Sequence, residues 1–267
     1  MERHLVVLDR DHPGFRDEAY RGRRNDIARA ALAHRAGEAP PRIAYTPEED
    51  GVWQTALAHL LPLHRDRATR AYRAAWPGLA IDPSRIAQLA EVNQVLASTT
   101  GFRMEPVAGL VDPRTFLETL AGGVFLATQY IRHASRPLYT PESDVIHEVI
   151  GHGPLLSNPA IAGVHRAFGD AAKRASPAEV EALIRVYWFT LEFGLAREAG
   201  EERVVGAGLL SSYGELERLA EVPRRPFSIA EVAATAFDTS DYQQVYFVAD
   251  SVESLLDELG AWLSGIG

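Results

Sequence analysis

The stretch from Tyr139 to Leu156, YTPESDVIHEVIGHGPLL, constrains this chain more than any other. It sets His147 and His152 around an apolar run, Val145, Ile146, Val149 and Ile150, with Glu148 directly after the first histidine. Pro141 fits the first turn of a helix, and Glu142 and Asp144 put negative charge at the positive end of its dipole. Two histidines on a buried helix invite a metal ion, because neutral imidazole is the commonest protein metal ligand. Zinc proteases use H-E-x-x-H, whose histidines, four apart, stack on one helical face. Here the spacing is five, which on an ideal helix turns the two rings about 140° apart. Gly151 can leave helical geometry cheaply and let His152 swing back, while Pro154 limits further helix. The spacing therefore allows either a joint metal site or one capping histidine beside one core histidine.

A third ligand candidate lies downstream. SPAEVEALIRVYWFTLEFGL reads as a helix from Pro177 to Phe193, opened by a Ser176–Glu179 capping box and closed by Gly194. Glu192 is its anomaly, a carboxylate between Leu191 and Phe193 and one turn after Trp188. Such a carboxylate either sits on a wet face or meets a cation or hydrogen bonds. Two histidines with one carboxylate form the facial triad of mononuclear non-haem iron(II), which leaves positions open for oxygen and substrate. The same set serves catalytic zinc, so ligand types alone do not separate the two metals.

TPESDVIHEVIGHGPLL, then YWFTLEFGL, then GAGLLSSYGEL occur in an order that resembles the catalytic domain of the pterin-dependent aromatic amino acid hydroxylases, the family of phenylalanine, tyrosine and tryptophan hydroxylases. The resemblance runs from DHPGFRDEAYRGRR to YQQVYFVADS. It implies iron(II), a tetrahydropterin co-substrate, O2 and a free aromatic L-amino acid hydroxylated on its ring. Residue by residue, it implies that His147, His152 and Glu192 hold the iron. Arg132 would pair the substrate α-carboxylate through its guanidinium fork, in a pocket lined by Tyr139, Thr140, Pro141, Trp188, Phe193, Gly208 and Ser211. Gly109, Leu110, Val111, Phe116, Glu148 and Tyr187 would contact the pterin, with Phe116 offering a face to stack on. Asp144, three residues before His147, would orient it or a neighbour, or else simply charge the helix start. Three positions depart from the family pattern, Pro113, Leu126 and Gly153, and Thr239 falls where the phenylalanine, tyrosine and tryptophan enzymes tend to differ. Phenylalanine is the first-choice substrate. Tryptophan, tyrosine or another ring position stand as alternatives, as do a zinc hydrolase with Glu148 as base and a non-catalytic binding protein.

The 267 residues suit one catalytic domain. The expected fold is mostly α with a few short β-strands, an aromatic amino acid hydroxylase-like catalytic domain. Neither the family's regulatory domain nor its C-terminal tetramerisation helix is evident, which implies a monomer. A charge of −9 with no basic run argues against nucleic acid or anionic membrane as a partner. No signal peptide or spanning segment is evident, so a cytoplasmic protein is expected. Local patterns predict a helix ending near Gly37, one opened by a Thr46–Glu49 capping box, one over RDRATRAYRAAW, and one over DPSRIAQLAEVNQVLAST. They further predict a short strand in FRMEPVAGLVDP, a helix in PRTFLETLA, a strand over VFLATQYIRH, and a hairpin in REAGEERVVGAGLL. A helix capped by Ser228 and Glu231, a strand in QQVYFVADS and a final helix in SVESLLDELGAWL complete the chain.

Overall fold

The computed structural model describes residues 5–239 and 241–267. Helices begin where a side chain satisfies the first free amides. Asp17 caps α1 (Glu18–Ala33), and the Thr46–Glu49 capping box opens α2 (Pro47–Arg67). The chain breaks at Ala68, and Thr69 caps α3 (Arg70–Ala75), so RDRATRAYRAAW is divided between two helices. The next helix, α4 (Leu89–Thr99), starts later than expected, because the Asp82 carboxylate accepts from the Ser84 amide and holds that segment as a turn.

β1 (Arg103–Pro106) leads through α5 (Pro113–Leu120) to β2 (Val124–Ala127), a parallel pair in the register Met104↔Phe125. The expected strand over 124–133 stops at Ala127. Beyond it, backbone atoms of Thr128, Tyr130 and Arg132 bond to Glu148, Val145 and Asp144 instead of to a neighbouring strand. This diversion ties the second strand to the His147 segment.

The chain continues through α6 (Gly153–Leu156), α7 (Pro159–Arg174) and α8 (Pro177–Tyr187). Sequence patterns had not marked α7, although Asn158 caps it and Pro159 fills its first turn. The Ser176–Glu179 box opens α8 as expected. The hairpin is β3 (Leu195–Glu198) and β4 (Glu201–Val204), followed by the short helices α9 (Ala207–Ser211) and α10 (Tyr213–Arg218). β5 (Arg224–Pro226), α11 (Ile229–Ala234), β6 (Tyr246–Ala249) and α12 (Val252–Ser264) complete the domain. Ser228 stands at the cap of α11 but makes no side-chain capping bond. The second sheet has the order β4-β3-β6-β5, with β3 pairing β6 in parallel.

One core runs through these elements, anchored by the fully buried rings of Trp53, Tyr72, Phe102, Phe125, Phe168 and Phe189. α1 is held to the loop before His147 by Arg24. Its buried guanidinium pairs with Glu142 at 2.8 Å and lies over the Tyr130 ring. No helix among the described residues is long and apolar enough to cross a membrane.

Candidate metal centre and its pocket

The histidine helix starts at Asp144 and not at Pro141. The Asp144 side chain accepts from the His147 amide at 3.2 Å, and its carbonyl accepts from the Glu148 amide at 3.0 Å. Pro141 lies in the preceding loop. Nor does the helix break at Gly151 to bring His152 round. From His147 to His152 it widens into a π turn, whose i→i+5 hydrogen bonds place residues five apart one above the other. Gly151 serves another purpose: a Cβ there would stand 2.7 Å from the Ala207 carbonyl oxygen, so its bare Cα lets α9 pack against the turn. Tyr72 braces the same turn by donating to the Ile150 carbonyl at 2.8 Å. Glu192 also ends a π turn, Trp188–Glu192, closed by the Phe193 amide on the Trp188 carbonyl at 2.8 Å. Gly208 packs where a Cβ would meet the Phe193 ring at 2.7 Å.

These two widened turns bring the triad together. The Nε2 atoms of His147 and His152 are 3.1 Å apart, and His152 Nε2 lies 3.0 Å from Glu192 Oε1. His147 Nε2 lies 3.7 Å from Glu192 Oε2. Ligands about 2.1 Å from one ion are separated by roughly 3.0–3.4 Å; the two contacts of His152 fall in that range, and the 3.7 Å between His147 and Glu192 Oε2 lies a little beyond it. Burial pushes both imidazoles down, His147 to about 4, with the Glu192 charge offsetting part of the effect, and His152 to about 3. Both are therefore neutral donors at neutral pH. Burial raises the Glu192 carboxyl, while the two nearby histidines, His147 and His165, pull it back. Nδ1 of His147 donates to Ser211 Oγ at 2.9 Å, and that hydroxyl donates to the Gly208 carbonyl. Outer bonds of this kind fix the tautomer that leaves Nε2 for a metal.

Asp144 is fully buried and grips Arg132, accepting from its Nε and Nη2 at 2.9 Å each and from its amide at 2.8 Å. Burial alone would raise that carboxyl, but the Arg132 guanidinium and these bonds hold it below the ordinary carboxylate range. The Nε–Nη2 edge of Arg132, a residue expected to face a substrate, is thus taken by Asp144, which leaves the Nη1–Nη2 edge of the fork, and Arg132 lines the pocket. Glu148 turns away from the triad and accepts from the Thr128 amide and hydroxyl at 3.1 and 3.0 Å. Burial, opposed by those two bonds, raises its carboxyl to about 8.

The triad opens into a cavity of about 460 Å³. Every residue expected to contact substrate or pterin lines it, from Gly109, Leu110, Val111 and Phe116 through Arg132, Tyr139, Thr140 and Pro141 to Glu148, Tyr187, Trp188, Phe193, Gly208 and Ser211. Of the three departures, Pro113 and Leu126 line it and Gly153 does not; Thr239 lines it as well. Phe116 meets Phe125 and Tyr187 edge-on. One wall was not foreseen. Trp188 stacks on Phe237 at 4.4 Å and donates to Gln243 Oε1 at 2.8 Å, while the Gln243 amide donates to the buried Glu215 at 2.8 Å. The buried carboxylate in YGELER is the signal that marks this wall.

Fold and site define a mostly helical domain with a preformed centre of two imidazoles and one carboxylate at the floor of a pocket. Residues 3–267 match the family model described as biopterin-dependent aromatic amino acid hydroxylase, and the chain belongs to that family. It is 43% identical over 266 residues to a tyrosine 3-monooxygenase of Schistosoma mansoni, covering 97% of this chain and 57% of that protein. It is 42% identical over 250 residues to a phenylalanine-4-hydroxylase of Bos taurus, covering 91% and 55%. The chain thus spans about half the length of the curated relatives it matches. Its fold is similar to that of a Chromobacterium violaceum phenylalanine hydroxylase holding iron(III) and 7,8-dihydrobiopterin, with TM-score 0.82, 29% identity, and 97% and 92% of the two chains covered.

Proposed function

We propose that this protein is an iron(II)- and tetrahydropterin-dependent monooxygenase that hydroxylates the ring of a free aromatic L-amino acid, phenylalanine first. The observation that carries the reading is the convergence of His147, His152 and Glu192 beneath a pocket with an aromatic wall. The donor set fits iron: two neutral imidazoles and one carboxylate occupy one side of an ion and leave the other side open. When bound, iron and pterin together supply the activation of O2.

The chain's own residues bind, orient and exclude water. Arg132, held rigid by Asp144, offers Nη1 to the substrate carboxylate, with Thr140 and Ser211 nearby in the lining. Trp188, Phe193 and Phe237 pack on one another as an apolar wall for the ring, which offers an added hydroxyl no partner and so favours phenylalanine modestly. Glu148 and the loop of Gly109, Leu110 and Val111 contact the pterin beside Phe116 and Tyr187. A second reading, tyrosine as substrate, is favoured by the tyrosine 3-monooxygenases among the relatives.

The test incubates the iron-loaded protein with each of phenylalanine, tyrosine and tryptophan, a synthetic tetrahydropterin and O2, and identifies products by mass and NMR. Tyrosine formed from phenylalanine is the expected product. Turnover of tyrosine alone would exchange the two readings, and no pterin-dependent product from any of the three would contradict both.

A further inference from the structure

His165 lies on α7 behind the His152 ring, fully buried, and none of the roles above uses it. Its Nδ1 bonds to the Ile161 carbonyl at 2.9 Å, one turn back along the helix. A carbonyl only accepts, so that nitrogen carries the proton and Nε2 is a bare acceptor. This Nε2 is buried without a partner. On the facing ring, His152 turns Nε2 to the triad, which puts the proton of the neutral imidazole on Nδ1. That Nδ1 is also buried without a partner. The two rings lie with centroids 6.4 Å apart at 81°, and no direct hydrogen bond joins them. A third orphan, the Tyr187 hydroxyl, belongs to a ring packed edge-on against His165 at 5.7 Å.

A donor, an acceptor and a hydroxyl able to act as either, each buried and without a partner, thus sit on three rings that pack together behind the triad. Buried waters make about three hydrogen bonds, to polar atoms of this kind. The contrast with His147 sharpens the point, since its Nδ1 already has Ser211 as an outer partner. Metal-binding histidines almost always donate their second N–H to something that fixes the ring. We propose that His165 is a positioning residue for His152, acting through one buried water that accepts from His152 Nδ1–H, donates to His165 Nε2 and bonds to the Tyr187 hydroxyl. The proposal rests on the reading of His152 as an iron ligand.

His165→Phe keeps a ring against Tyr187 and Phe102 but removes the acceptor, whereas His165→Gln keeps an acceptor at the end of a flexible chain. Anaerobic iron(II) affinity is measured by chelator competition, alongside thermal unfolding of the metal-free proteins. His165→Phe is expected to weaken iron binding roughly 10–100-fold without lowering the metal-free melting temperature, and His165→Gln to stay close to wild type. If His165→Phe does not fold, His165→Leu, which also lacks the acceptor, replaces it. Equal iron affinity in His165→Phe and wild type would overturn the proposal, as would equal losses in the Phe and Gln variants. Wild type that binds one iron while His152→Ala binds none keeps the ligand reading intact in either event. Wild type that binds no iron overturns both together.

Discussion

The Asp144 carboxylate serves two neighbours at once, capping the histidine helix and gripping Arg132 where almost no water reaches either side chain. Removing one member of a buried ion pair leaves the other charge uncompensated, which costs about 3–5 kcal/mol. Asp144→Ala should lower stability by that amount in urea unfolding. Asp144→Asn keeps the capping oxygen and one bond to Arg132, so it should cost less. Equal losses in the two variants would mean that the charge contributes nothing. Arg132 is oriented by the same arrangement: Asp144 takes its Nε–Nη2 edge and leaves the Nη1–Nη2 end of the guanidinium fork unoccupied by that carboxylate.

Both ligand-bearing segments are π turns, and the first depends on a contact from far along the chain, the Ala207 carbonyl against Gly151. Gly151→Ala forces a Cβ to 2.7 Å from that oxygen. Overpacking of this kind should destabilise the fold by about 1–3 kcal/mol and weaken iron binding in the same protein. An alanine variant with wild-type stability and affinity would show that the turn can close without the glycine. The contact also explains what the sequence could and could not reveal. Capping boxes at Thr46 and Ser176 were legible because donor and acceptor lie three residues apart. The triad residues are legible through motifs, although the five-residue spacing alone is equally compatible with a helix that breaks at Gly151. The widened turn was hidden because nothing local distinguishes it from an α-helix that breaks. Arg132 and Asp144, twelve residues apart, pair only because the segment after Ala127 leaves its strand to follow the histidine helix. α7 escaped notice despite its Asn158 cap, and His165 with it.

Resistance to acid is a property of the whole molecule, and the buried histidines set it. His64, far in sequence from the triad, donates to the Leu210 carbonyl at 2.6 Å and has Tyr72 beside it. Burial pushes it down to about 4 from an ordinary value of 6.5, so the unfolded chain binds its proton first as pH falls. Its neutral form therefore supports the fold fully above about pH 6.5, and that support fades toward about pH 4. At 1.36 kcal/mol per unit, the loss between about pH 8 and about pH 5 is about 2 kcal/mol. His64→Phe, less stable than wild type at the higher pH, should recover about that much of the difference at the lower one in urea unfolding. A gap independent of pH would contradict the assignment. The same architecture that buries these rings carries the two π turns to one point, where donor atoms of His147, His152 and Glu192 lie within 4.8 Å of one another. Anaerobic loading with iron(II), followed by elemental analysis after gel filtration, reads that convergence directly. One iron per chain in wild type, and essentially none in His147→Ala, His152→Ala and Glu192→Ala proteins that still fold, is the predicted result. A folded His152→Ala protein that keeps its full iron would contradict it.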